Sequence, residues 1–202
     1  MPLQNRVTPF GEIIAIPERG TMLGNRGILH NTNKEIIRTA QIRRWLTCLL
    51  EYKNIRRTIM KPGSYTELFF LDEVTALAAG HRPCCECRRQ DYIRFQNYWQ
   101  KAFDSKPTAD EIDQRLQHDR RLNGKKKTYQ ERLTNLPDGT FIENNGNAWV
   151  LKNKHLWLWS PGGYIQNLSV TETLVSVLTP RATVEVLKMG YAPIFHTTLA
   201  NT

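Results

Sequence analysis

The chain has no apolar run approaching the roughly 20 residues that cross a bilayer as a helix. Its first residues, Met1-Pro2-Leu3-Gln4-Asn5-Arg6, lack the apolar core of a signal peptide, so a cytoplasmic protein with no membrane partner is expected. Cysteine is scarce, four in 202 residues, and three of the four fall within positions 84–87. That clustering excludes a secreted disulfide framework and leaves metal binding or redox chemistry as the uses of the thiols. Acidic residues are outnumbered, 19 Asp+Glu against 28 Lys+Arg, and the resulting charge of +9 suits nucleic acid or another polyanion. Catalytic signatures are also missing. There is no Walker loop, no dinucleotide-binding glycine turn, no H-E-x-x-H and no nucleophile elbow.

What is present is the composition of an ordinary folded chain, 40% hydrophobic and 23% charged, long enough for one large domain or two small ones. The stretch at residues 69–89 reads as an apolar strand, a short helix, a Gly-Pro turn and two thiols at C-x-x-C spacing. Asp72 stands where a helix N-cap is needed and Gly80 where a left-handed C-terminal residue is needed. Arg82-Pro83 forces extended backbone, so that Cys84 and Cys87 leave one knuckle, the geometry by which two thiolates reach one tetrahedral ion. Arg82, Arg88 and Arg89 flank the thiols and put them in positive potential. Two other readings stand beside the zinc one, a metal-free knuckle and a redox or nucleophilic thiol of lowered pKa.

The run Ala-Leu-Ala-Ala-Gly-His-Arg-Pro-Cys-x-x-Cys resembles the second half of the metal-binding domain of the Ada DNA-repair protein, over about 20 residues. A similar ending closes some thermonuclease-like proteins. The resemblance implies a structural zinc with Cys84 and Cys87 as two of its ligands, and a module seated against nucleic acid. The family's Cys-x-x-x-Cys pair, roughly 30 residues upstream, has no match here; residues 51–58 are basic instead. The methyl-accepting cysteine of Ada has no heir in this chain either. The remaining ligands are therefore sought in Cys48, His30 and His196, with His81 and Cys85 as further candidates.

The rest of the chain points to an α+β fold. Residues 34–72 read as an antiparallel meander, with strands near 45–52, 58–60 and 65–70. Alternation puts Cys48 on a face with Leu46, Leu50 and Tyr52, which makes it a small core residue as readily as a ligand. Residues 88–103 carry Tyr92, Phe95, Trp99 and Ala102 at helical spacing. Thr108-Ala109-Asp110-Glu111 is a capping box opening a polar helix through about Leu122, followed by a dense positive segment. Beyond Leu136-Pro137-Asp138-Gly139, short strands on Asn/Gly turns predict a small antiparallel sheet or partial barrel ending in a short helix. Gly190-x-x-Pro193-x-x-His196 faintly echoes the knuckle. Three segments are expected: 1–104 with the meander and knuckle, 105–135 as a basic helical arm, and 136–202 as a β-rich subdomain.

Function is expected to be nucleic-acid binding, DNA or RNA, in DNA repair or processing, around a structural zinc. Arg56 and Arg57 on one hairpin, Arg82, Arg88 and Arg89 at the knuckle, and Arg120, Arg121, Lys125, Lys126 and Lys127 on the arm are the candidate phosphate contacts. An enzyme acting on DNA or RNA is the alternative, with His30 and Glu67 as its only suggested pair. A zinc-stabilised adaptor without nucleic acid is the third reading.

Overall fold

Glu73–Ala78 forms a six-residue helix, α1, and every one of its residues is buried. A helix buried on all sides belongs in the middle of a fold, and α1 touches three core clusters. Val74 and Ala78 join Phe141, Val150, Tyr164 and Leu178. Leu77 joins Phe95, Trp99, Ile112, Leu116 and Val186. Ala76 and Ala79 join Val7, Leu29, Leu68 and Phe70. Asp72 caps the helix by accepting the Thr75 N–H at 2.9 Å. Gly80 ends it at φ +91°, the left-handed value a glycine takes without strain.

The computed structural model describes residues 1–54 and 57–199. Its fold is mixed α+β, with two six-stranded sheets. The first is built from β1 (Gln4–Val7), β2 (Ile13–Ala15), β3 (Met22–Asn25), β4 (Leu46–Cys48), β5 (Leu68–Phe70) and β6 (Arg82–Pro83). Its order is β2-β1-β5-β3-β4-β6, with β5 parallel to β1 and β6 parallel to β4. This differs from a meander. β5 inserts between β1 and β3 instead of following β4, and no strand forms at residues 58–60. There the chain turns with Met60 at φ +53°, fully buried, its N–H held by the Glu67 carboxylate at 2.8 Å.

Two helices, α2 (Arg89–Phe103) and α3 (Ala109–Arg120), follow the knuckle. The capping box at Thr108 and Glu111 opens α3, with reciprocal hydrogen bonds. That helix stops at Arg120. Asn123 and Gly124 both take positive φ, +50° and +78°, the two-residue turn that matches strand twist. A hairpin of β7 (Arg121–Leu122) and β8 (Lys125–Lys126) therefore stands where the sequence suggested continuing helix.

The second sheet takes β9 (Tyr129–Arg132), β10 (Phe141–Asn144), β11 (Asn147–Lys152), β12 (His155–Ser160), β13 (Gly163–Ser169) and β14 (Leu174–Val177), in the order β13-β12-β11-β10-β14-β9. All its pairings are antiparallel. The sheet is open, and no barrel closes among the described residues. One face packs against α1; the other carries Ile142, Trp149, Leu151 and Val177 against Val184 of α4 (Arg181–Lys188).

Two buried carboxylates lock the C-terminal tail to α1. Asp72 accepts from the Tyr164 hydroxyl at 2.8 Å and the His196 N–H at 2.9 Å. Glu73 accepts from Tyr191 at 2.7 Å, the Ile194 N–H at 2.9 Å and Arg88 at 2.8 Å. Both carboxylates are fully engaged by internal partners, which offsets the cost of burying them.

Candidate metal centre

Parallel pairing of β4 with β6 brings the thiols together. Cys48 ends β4, and Cys84 follows β6 with its N–H donating to the Thr47 carbonyl at 3.0 Å. The knuckle then turns, and the Glu86 N–H donates to Cys84 Sγ at 3.4 Å. The N–H of Cys87 also points at Cys84 Sγ, and that of Leu49 at Cys87 Sγ. Amides aimed at sulfur stabilise thiolate, the form that binds metal.

Cys48, Cys84 and Cys87 place their sulfurs within 4.8 Å of one another. Zinc–thiolate bonds of about 2.3 Å in a tetrahedron separate ligand sulfurs by about 3.8 Å, so this set fits one ion with small adjustment. Soft thiolates select zinc-type metals over magnesium or calcium. Cys84 is buried, Cys48 and Cys87 are half-buried, and Cys85 is exposed and outside the group. The charge pattern of the three is that of a shared thiolate. Hydrogen bonds from Cys48 and then Cys87 draw the Cys84 pKa far down. Cys48, donating to both neighbours, is pushed far up. At Cys87 the bond from Cys48 draws the pKa down, but the bond to Cys84 and burial together leave it raised.

No other His, Cys, Asp or Glu among the described residues joins this group. His30 is buried elsewhere, its Nδ1 2.6 Å from Thr66 Oγ1 and its Nε2 3.3 Å from the Lys61 carbonyl. His196 turns its Nδ1 to Thr198 Oγ1 at 3.0 Å. His81 is fully buried and hydrogen-bonded at both nitrogens. Glu67, the suggested partner of His30 in catalysis, is buried and holds the Met60 amide.

The candidate phosphate contacts divide by burial. Arg82 is fully buried in a bidentate pair with Asp113 at 2.9 and 2.7 Å. Arg88 is buried between Glu73 and Asp91, both at 2.8 Å. Arg120 is buried and donates to the carbonyls of Gly80 and Arg43, at 2.9 and 2.6 Å. These three guanidiniums hold the frame together and do not face solvent. Arg89 and Lys125 are exposed; Arg57, Arg121, Lys126 and Lys127 are partly so. Arg56 lies outside the described residues. The glycines around Arg26 read in sequence either as a close approach to an anion such as phosphate or as a hairpin turn with Arg26 exposed. Arg26 is instead fully buried, stacked with Arg120 on the ring of Trp45, a contact that strand alternation gave no sign of.

Comparison with family models, with curated proteins and with solved structures finds no match.

Proposed function

We propose that the protein binds nucleic acid through a basic face whose frame is stiffened by a zinc ion held by Cys48, Cys84 and Cys87. The observation that carries this reading is the meeting of the Cys48 thiol at the end of β4 with the two thiols of the knuckle after β6, with backbone amides turned to the sulfurs of Cys84 and Cys87. When bound, the ion supplies a cross-link between β4 and the knuckle and compensates the charge of the thiolates. The residues of the chain do the rest. Thr47 and Leu46 hold β6 in register, and Arg82 anchors the knuckle to α3 through Asp113. The resemblance to the Ada module supports placing the site beside nucleic acid, and a role in DNA repair or processing rests on that resemblance alone.

The nucleic-acid half of the reading rests on charge. The net charge is +9, and Arg38, Arg43 and Lys125 are exposed with Arg121 between them. Phosphate contacts release counterions, so log K falls by about 0.9 per contact for each decade of salt on a duplex, and about 0.7 on a single strand. Titrating labelled duplex and single-stranded oligonucleotides between about 50 and 200 mM salt is expected to give a slope near −3, as about three to four contacts require. Affinity that stays flat with salt contradicts the reading.

A further inference from the structure

Four clustered cations, Arg26 and Arg120 buried and Arg121 and Lys126 partly exposed, stand apart from the protein's other internal charges. Arg82 and Arg88 each have carboxylate partners. Among the described residues Arg26, Arg120, Arg121 and Lys126 form no ion pair, although Asp113 is near enough to Arg120 to favour its charge. Arg26 donates Nε to His81 Nε2 at 2.9 Å and Nη1 to the Gly11 carbonyl at 2.9 Å, while its buried Nη2 has no hydrogen-bond partner among the described residues. Arg120 has two carbonyls and the Gln117 side chain. Arg121 has Thr39 Oγ1 and the Gly124 carbonyl, and Lys126 has the Ala78 carbonyl. Crowding like charges together, two of them fully buried, with little counter-charge is costly. Part of that cost is met by Trp45, whose ring has Arg26 at 4.0 Å and Arg120 at 3.9 Å from its centroid.

These residues surround one cavity. Trp45, Arg120, Arg121, Lys125 and Lys126 line it, with Thr39 and Phe10 at its wall, and its volume is about 340 Å³. Arg26 Nη2 lies behind Gly11, 3.8 Å from where a β-carbon on that glycine would sit. The sole carboxylate on the lining is Glu12, which is exposed. The volume is that of a small-ligand cleft, and the charge is that of an anion site. Thr39, Arg121 and Gly124 are shared with an open groove of about 670 Å³ that adds Arg38 and Arg43.

We propose that this cavity takes a phosphomonoester dianion, the terminal phosphate of a nucleic-acid strand whose backbone continues along the Arg38–Arg43 groove. Lys126 and Arg121 supply the charge at the cavity, with buried Arg120 and Arg26 adding their field from behind, Thr39 supplies a hydroxyl, and the cavity wall stops the strand at its end. Only the source of the phosphate rests on the nucleic-acid reading; the site itself stands on the unpaired cations and the concavity.

The test measures binding of single-stranded oligonucleotides carrying a 5′-phosphate, a 3′-phosphate or hydroxyls alone, with pyrophosphate as the small-molecule probe. Wild type is compared with Lys125→Ala and with Arg121→Ala, two changes at the rim that spare the buried frame. We expect one of the phosphorylated strands to bind at least tenfold tighter than the hydroxyl strand, and both variants to erase that preference. Equal binding of all strands, weakened alike by the variants, overturns the terminal site and leaves the nucleic-acid reading standing. Pyrophosphate raising the melting temperature of wild type but not of the variants, with no strand bound, upholds the site and overturns nucleic acid as its source. Silence with every probe overturns both.

Discussion

At the scale of single residues, the folded chain turns on a few positions where backbone and charge meet. Gly80 is one. It closes α1 at φ +91°, and a β-carbon there would stand 2.6 Å from Arg120 Cδ and 2.9 Å from Arg120 Cβ. Gly80→Ala combines a left-handed backbone penalty with overpacking against a side chain that is itself held by the Gly80 carbonyl. A loss of roughly 2–4 kcal/mol is expected, read as a lower midpoint in chemical denaturation. His81 is fixed as a neutral ring. Arg26 Nε donates to its Nε2, so the proton sits on Nδ1 and is given to the Leu46 carbonyl at 2.9 Å. Burial first, then the Arg26 charge, hold its pKa well below the ordinary value.

Lys126 is the residue whose titration exposes the unpaired cations. Burial first, then Arg26 and Arg120, push its pKa down to about 7 from 10.5. Between those values the unfolded chain binds a proton that the folded chain does not, so the contribution of Lys126 to stability rises with pH over that window. The neutral imidazole of His81 faces the same cluster and adds no charge. Denaturation of wild type and Lys126→Met from pH 7 to 10 is expected to give a difference that grows in favour of wild type. A constant difference contradicts the burial of an unpaired ammonium.

At the scale of elements, α1 with its cap and glycine stop was legible because Asp72, the apolar run and Gly80 act locally. The same holds for α2, for the capping box of α3, and for the Asn-Gly turns of the second sheet. The strand order of the first sheet was not legible. β5 lies between β1 and β3 because burial of Leu68 and Phe70 against Val7 and Met22 decides it, a long-range matter that alternation cannot report. Cys48 was ambiguous in sequence for the same reason, since its partners stand on a knuckle far along the chain. The basic residues misled most. A charge run looks solvated, yet Arg82, Arg88 and Arg120 are used inside, where the planar fork meets carboxylates and carbonyls. The β4–β6 pair is short, with β6 only two residues long, and in the proposed reading a metal held by Cys48, Cys84 and Cys87 would clamp it. Removing the ion with a chelator is expected to cost about 2.7 kcal/mol if it was held at a hundredfold its Kd. For a chain of this size that is roughly 5–11 °C in Tm. An unchanged melting curve contradicts the clamp.

At the scale of the whole molecule, α1 and the β4–β6 pair set two sites at opposite ends of the same short strands. Trp45 and His81 precede β4 and β6, Trp45 lining the cavity of cations with the His81 ring packed 5.3 Å from it, and Cys48 and Cys84 stand at their far ends. Three residue steps of extended chain carry Trp45 to Cys48, about 10 Å. A metal that fixes the spacing of the two strands therefore also fixes the wall on which Arg26 and Arg120 lie. On the proposed reading the basic face and the thiol cluster form one unit, a cross-link at one end and an anion seat at the other.

Elemental analysis of the purified chain decides whether that cross-link exists. One zinc per chain is expected in wild type and in Cys85→Ser, whose thiol is exposed and outside the group, with the metal lost or reduced below half in Cys48→Ser. Full zinc retained without Cys48, or none in the wild type purified without chelator, would contradict the three-thiol site on which the rest is built.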